Sequence, residues 1–257
     1  MVLVVSFGGR RFWRRLALIL FVLLAAGVLW EPVQAMYVAG GRKVHPIYQV
    51  DTSERKVAFS FDACWGAEYT DLILDILDRH QVKTTFFLVN IWLEKYPGQA
   101  REIARRGHEI GLHSTTHPHF TRLSPEKMQQ ELEENAKLVR EITGYAPRLF
   151  RPPFGDYDDT VIQVAQSLGF QPVQWSVDSL DWQDKSADEI FRRVSSRLEP
   201  GAIVLFHNNG KYTAQALEGL LNYARSEGYT VVPVSDLLLK GDYYIDVNGI
   251  QRPGPRS

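Results

Sequence analysis

A single cysteine, Cys64, occurs in 257 residues. No disulfide can form within such a chain, and a folded body must be held by its apolar core. Neither charge sign is in surplus, with 29 Lys and Arg against 30 Asp and Glu for a formal net charge of -1. That balance offers nothing to attract nucleic acid, and no block of like charges forms an acidic or basic tail. Nucleic acid is therefore not expected as a partner, and a monomer is the simplest expectation. Apolar residues, by contrast, make up 45% of the chain, and a chain of this length buries one sizeable core rather than several.

The run Leu16 to Trp30 is apolar and uncharged, and it follows Arg10, Arg11, Arg14 and Arg15, which flank Phe12 and Trp13. It is shorter than the roughly 20 residues a relaxed helix needs to cross a bilayer, which favours the apolar region of a signal peptide. Val33-Gln34-Ala35 supplies a small-residue cleavage site just beyond it. Residues 1–35 are thus expected to be a signal peptide or an uncleaved signal anchor. The arginines on the N-terminal side place the rest of the chain outside the cytoplasm, secreted or held at the membrane by this segment.

Residues 36–55 mix Pro, Gly and polar residues without periodicity, as a linker or irregular strap does, and residues 241–257 read as a flexible tail. Between them, residues 56–240 alternate. Short β-branched and aromatic runs (Val57 to Phe61, Thr84 to Val89, Arg148 to Phe150, Gln171 to Val177, Ala202 to Phe206, Thr230 to Val234) are separated by segments of helical spacing. This is the βα signature of a parallel sheet in an α/β domain. Gly107, Gly169 and Gly228 each stand after a helical stretch and before a strand, where glycine ends helices in the left-handed conformation. Ser124 and Pro125 open a helix reaching Thr143-Gly144. Its buried stripe is Leu132, Ala136, Val139 and Thr143, and Glu131, Glu133, Glu134, Lys137 and Arg140 are assigned to the outer face.

The reactive residues are unusual in position. Asp62, His113, Arg151, Asp178, Asp181 and His207 each fall just past the C-terminal end of an expected strand. In parallel α/β folds the loops at that end gather on one face and form the active site. His113 and His117 are four residues apart, so a helical turn or tight loop could aim both at one divalent metal; pairs at this spacing also serve as surface or capping residues. His119 is a spare ligand or a loop residue. Asp62 could take a proton from water or cap the following helix. Arg151 could hold that carboxylate ionised through paired N–H donors, or form an ordinary ion pair beside a Pro-Pro turn. His207, tuned by Asp181, could donate a proton to a leaving amine, and a structural histidine reads the same way.

These residues stand in five ordered motifs: Ser60-Phe61-Asp62-Ala63, His113-Ser114-Thr115-Thr116-His117, Arg151-Pro152-Pro153-Phe154, Asp178-Ser179-Leu180-Asp181-Trp182 and Leu205-Phe206-His207. In this order the chain resembles the polysaccharide deacetylases with the NodB homology domain, carbohydrate esterase family 4, over about Lys56 to Lys240. The resemblance implies a distorted (β/α) barrel and metal-dependent removal of N-acetyl groups from amino-sugar polysaccharide such as chitin or peptidoglycan. It casts Asp62 as base, Arg151 as its orienting cation, His207 with Asp181 as acid, and His113 and His117 as ligands of a divalent metal, zinc being favoured. Phe154, Trp182 and Leu205 would bind the substrate.

The family pattern has a second aspartate after the base as a metal ligand, where this chain has Ala63. Two neutral histidines hold a cation less well than two histidines with a carboxylate. Cys64 offers a thiolate one position along, but a side chain there is expected to point elsewhere. Asp62-Ala63-Cys64-Trp65-Gly66 is similar to sporulation-associated members of the family, which implies a role in the cell wall or spore cortex. Two other readings remain beside the deacetylase: a non-catalytic wall protein in which Trp65, Phe154 and Trp182 stack on sugars, and a hydrolase of O-acetyl esters.

Overall fold

The computed structural model describes residues 44–254. The expected signal segment, residues 36–43 of the expected linker and the last three residues of the expected tail lie outside them. Among the described residues no helix is long and apolar enough to cross a membrane.

The elements follow one another as β1 (Gln49–Val50), β2 (Lys56–Ala63), α1 (Thr70–Arg79), β3 (Thr85–Leu88), α2 (Asn90–Lys95), α3 (Pro97–Arg105), β4 (Glu109–Leu112), α4 (Pro125–Thr143), β5 (Leu149–Phe150), α5 (Asp159–Ser167), β6 (Gln171–Pro172), β7 (Val177–Asp178), α6 (Ala187–Ser195), β8 (Ile203–His207), α7 (Thr213–Ser226), β9 (Thr230–Val232), α8 (Val234–Leu237), β10 (Tyr243–Ile245) and β11 (Ile250–Pro253). The main sheet runs β6-β5-β4-β3-β2-β8-β7, with β9 paired to the start of β2. All its pairings are parallel. This is the α/β architecture with a parallel sheet that the alternation implied, curled into the barrel-like form that the resemblance implied.

The curl is forced by chain length. Seven strands laid flat, about 4.8 Å apart, would separate the outer two by about 29 Å. The edge strands β6 and β7 are joined by only Val173 to Ser176, and five residue steps reach at most about 18 Å. The single strand expected over Gln171 to Val177 is therefore two short ones on opposite edges of the sheet. Residues 44–50 close the remaining gap. Ile47 bridges Val173, Gln49 bridges Ala202, and the Val50 amide donates to the Gly201 carbonyl at 3.0 Å. The expected linker is thus in part a strap that pairs otherwise open sheet edges.

The C-terminal segment is likewise paired rather than loose. β11 lies parallel to β1 and antiparallel to β10, in a separate three-stranded sheet. Asp246 builds the intervening turn by accepting from the Asn248 and Ile250 amides at 2.9 and 3.0 Å. The partners come from the two ends of the described chain, so local pattern carries little sign of this sheet.

Side-chain alternation along β2 divides the interior. Val57, Phe59, Phe61 and Ala63 pack outward in the large cluster shared with the helices, where Phe61 stacks on Phe86 with ring centroids 4.9 Å apart. Ala58 faces a smaller inner cluster with Ile47, Phe87, Val173 and Ile203, joined by Val234 and Leu237 of α8. Helix α4 begins and ends as its sequence implies, with the Ser124 side chain as N-cap, Pro125 in the first turn and Gly144 left-handed at φ 71°. Its outer face needs correction, because Glu131 and Asn135 are buried and Thr143 is not.

Gly201 has φ +79°, and a Cβ built on it would lie 1.8 Å from the Val50 carbonyl oxygen in the strap. Gly98, in the first turn of α3, would meet nothing within 4 Å. Gly201→Ala is expected to cost about 2 kcal/mol or more, and Gly98→Ala to be neutral or to stabilise by up to about 1 kcal/mol. Chemical denaturation of the two variants measures both, and equal stabilities would contradict the strap's close fit.

Candidate active site

In the register of the sheet Asp62 lies beside His207, and Leu112 lies beside Phe150. The residues that follow β4 and β5, His113 and Arg151, therefore emerge at the same end as the tips of β2 and β8. There they line or underlie a cavity of about 630 Å³ whose walls include Asp62, Cys64, His113, His117, Asp181 and His207. Trp65, Phe154 and Trp182 stand at this cavity and are 58%, 60% and 58% exposed, while Leu205 is buried in its lining. The size suits a small ligand group, and exposed ring faces beside such a cavity suit the apolar faces of sugars.

Arg151 is 0% exposed. Its guanidinium donates to Asp62 Oδ1 at 2.7 Å, to Ser60 Oγ at 2.9 Å and to the Gln174 carbonyl at 3.1 Å. It also lies 4.1 Å from the Phe87 ring centroid, a cation–π contact. Burial alone would raise the Asp62 pKa, but the Arg151 charge, helped by His113 and His207 and by the Arg151 hydrogen bond, outweighs it, and the carboxyl titrates below its usual range. Asp62 Oδ2 remains toward the cavity, 3.5 Å from His113 Nε2.

The two imidazoles are held by their second shell. His113 Nδ1 must donate to the Arg151 carbonyl at 2.8 Å, since a carbonyl only accepts, so His113 Nε2 presents a lone pair. His117 Nε2 lies 3.2 Å from it. That is close to the separation of two nitrogens each about 2.0–2.1 Å from one tetrahedral ion, so the pair can share one proton or one cation. Burial, with the charge of His113, pushes His117 down to about 3, and burial lowers His113 as well, so both rings are neutral and able to ligate. Cys64 completes a cluster in which the donor atoms of Cys64, His113 and His117 lie within 4.8 Å of one another. Burial and the charge of Asp62 push its thiol up, so without a cation it stays protonated. The expectation that Cys64 points elsewhere is corrected: in the bend after β2 Cys64 lines the cavity together with Asp62, while also touching the outer apolar cluster that holds Ala63. His119 is not drawn into this group; it pairs with Asp156 at 3.3 Å and stacks on Phe154.

Across the cavity His207 Nδ1 donates to Asp181 Oδ1 at 2.8 Å, leaving Nε2 free. Asp181 Oδ2 accepts from the His207 amide at 2.8 Å and from Thr213 Oγ1 at 2.6 Å. Burial opposes a charge on His207, but the Asp181 hydrogen bond and the charges of Asp181, Asp62 and Asp178 outweigh it, so its pKa is raised. Asp178 also lines the cavity, and burial raises its pKa.

Glu131, Asn135 and Ser60 were missed as site residues. Glu131 accepts from the Thr115 and Thr116 amides at 2.9 and 2.8 Å, and Asn135 Oδ1 from those of His113 and Ser114 at 3.0 and 3.1 Å. Together they hold the loop that carries both histidines. The only available signal was a carboxylate and an amide one turn apart on α4, which a surface helix shows as well. Five of the six non-glycine residues with positive φ among the described residues, Ser114, His117, Phe154, Leu180 and Asp184, lie in these loops. Such backbone is costly and collects where function over-determines it.

The model of the family described as polysaccharide deacetylase matches residues 49–173. The uncharacterized protein YlxY of Bacillus subtilis is 35% identical over 193 residues, covering 75% of this chain and 60% of YlxY. The peptidoglycan-N-acetylglucosamine deacetylase PgdA of Listeria monocytogenes is 34% identical over 218 residues, covering 83% of this chain and 46% of PgdA. The chain thus spans about half to three-fifths of these curated relatives. Among solved structures, BA3943 of Bacillus anthracis, described as a CE4 family pseudoenzyme, matches with a TM-score of 0.73 at 33% identity, over 75% of this chain and 68% of that one. A BA3943 mutant described as having restored enzymatic activity matches with a TM-score of 0.73 and 34% identity.

Removing the cation from the buried pair leaves Asp62 uncompensated. Arg151→Met is expected to cost about 3–5 kcal/mol at neutral pH, and adding Asp62→Asn should recover part of that loss. Denaturant titration of the single and double variants tests the coupling, and strictly additive losses would refute it. Asp181→Asn should drop the His207 pKa below its present raised value, because burial would then act with less opposition. NMR titration of the imidazole reads this directly. The pair stabilises the fold fully below the unfolded histidine value of about 6.5, and that contribution fades as pH rises through the folded value.

Proposed function

This chain belongs to the polysaccharide deacetylase family, and on that premise we propose that it hydrolyses N-acetyl groups of peptidoglycan-type glycan with the help of a divalent metal. The observation that carries the reading is the facing of two tuned pairs, Asp62–Arg151 and His207–Asp181, across one cavity beside the His113–His117 pair.

In this reading the sugar lies against Phe154 and Trp182, and the acetyl group enters beside Leu205. Asp62, kept ionised and oriented by Arg151, accepts a proton from the attacking water, whose oxygen bonds to the acetyl carbon. His207, protonated and supported by Asp181, gives its proton from Nε2 to the amide nitrogen as the carbon–nitrogen bond breaks. Acetate and a free amino sugar are the products. Deacetylases of this family are generally metal-dependent, and His113 and His117 are suited to hold the ion. When bound, a divalent ion supplies Lewis-acid polarisation of the carbonyl.

The same reading places the catalytic residues in 56–240, completed by the strap and the paired C-terminal strands, and the chain as a monomer outside the cytoplasm, carried there by residues 1–35. A role in the cell wall of a spore-forming bacterium extends it. The competing reading, a glycan-binding protein without turnover, draws on Ala63 and on the likeness to the BA3943 pseudoenzyme.

Acetate release from peptidoglycan and from N-acetylglucosamine oligomers by the purified chain, with zinc and with chelator, is the decisive assay. Release that chelator abolishes and that Asp62→Asn lowers by about 10²–10⁴-fold is expected. Binding of glycan with no acetate released would establish the non-catalytic reading, and release from O-acetyl esters alone would establish an esterase.

A further inference from the structure

We propose that Cys64 is the third protein donor of the metal site, its thiolate standing in for the carboxylate that Ala63 lacks. This rests on the reading of His113 and His117 as metal ligands and adds what that reading leaves short. Two neutral imidazoles contribute no charge to a bound dication, and open catalytic zinc sites have three protein ligands. Near the pair, Asp62 has one oxygen taken by Arg151 at 2.7 Å. Among the described residues, Cys64 is the further donor whose ligating atom forms a cluster with both histidines, all within 4.8 Å of one another.

The placement follows from the end of the strand. β2 ends at Ala63, and the chain bends at Cys64, which touches the outer apolar cluster and also lines the cavity with Asp62, whereas Ala63 does not line it. Cys64 is 8% exposed and lines the cavity. On binding, the S–H bond breaks, the proton passes to solvent, and a sulfur lone pair forms the bond to the ion. A thiolate beside two imidazoles is a soft donor set that favours zinc or cobalt over magnesium, calcium or manganese. Packing alone would not require sulfur here, because a buried thiol behaves as a small apolar group that alanine partly replaces.

Cobalt(II) titration of the full-length chain, followed by optical absorption, tests the assignment. Cys64 is the only cysteine among the 257 residues, so a thiolate-to-cobalt charge-transfer band in the near ultraviolet can come from no other side chain. The band is expected in the parent chain and absent in Cys64→Ser and Cys64→Ala. Both variants should bind zinc more weakly by more than about tenfold, a loss that even outer-shell changes can produce. Circular dichroism and denaturation without metal identify a variant that fails to fold, and the parent spectrum decides the matter without either variant. Visible cobalt bands without charge transfer, lost in His113→Ala, would overturn the role of Cys64 while leaving the histidine site standing. No binding of cobalt or zinc to the parent chain would overturn both.

Discussion

A guanidinium with no solvent exposure has to be paired, and the way Arg151 is paired organises the whole mouth of the barrel. Its side chain reaches Asp62 and Ser60 on β2 and the Gln174 carbonyl in the segment joining the two sheet edges. Its backbone carbonyl receives the His113 Nδ1 proton and so sets that ring's tautomer. One residue thus fixes the ionisation of the carboxylate, the orientation of the imidazole and the closure of the curled sheet. Loss of the cation would disturb the carboxylate and the sheet closure together while leaving the backbone carbonyl that His113 uses, which is why its effect cannot be assigned to chemistry alone.

Around that residue the barrel interior is divided by depth. Its floor is apolar, with Ile47, Phe87, Val173 and Ile203 capped by Val234 and Leu237. Its mouth is polar, with Asp62 paired to Arg151 and Asp181 to His207. The apolar floor keeps water from the buried face of Arg151, and low local polarity strengthens the ion pair above it. Strain lies on the mouth side: Ser114, His117, Phe154, Leu180 and Asp184 have left-handed backbone in the loops. Glu131 and Asn135 hold Ser114 and its neighbours from below through charge-assisted and amide hydrogen bonds, so α4 stabilises a conformation the loop would not keep unaided.

Much of this was legible in the sequence because two signals agree. The βα alternation gives a parallel sheet, and the reactive residues recur just past strand ends, which in a parallel sheet means one face. What was not legible involved either very short elements or contacts distant in sequence. β1 has two residues, and β6 and β7, also of two residues each, were read as one strand, being too short for any periodicity to register. The tail pairs with the strap from the other end of the described chain. Glu131 and Asn135 look like surface residues because a helical pattern identifies an apolar stripe but cannot tell polar residues facing water from polar residues serving a loop. Cys64 was misplaced because it stands just past the end of β2, in a bend whose direction no local pattern gives.

Charge balance is what distinguishes this cavity from one with an extra aspartate after the base. Asp62 is paired with Arg151 and Asp181 with His207, whose protonated form that carboxylate favours, while burial favours the neutral form of His113 and His117. A dication entering that arrangement would meet two internally compensated pairs and no free negative charge from its histidines. Asp178 lines the same cavity, but burial favours its protonated form and its Oδ1 already accepts from the Leu180 amide at 2.8 Å. Apart from Asp62 Oδ2, which stands 3.5 Å from His113 Nε2 on a carboxylate shared with Arg151, an anionic ligand would be created on binding, by exchanging a proton for the ion at a group already in place. Among the described residues the cluster of Cys64, His113 and His117 has that property, since its one acidic member is a buried thiol whose proton a soft cation can displace.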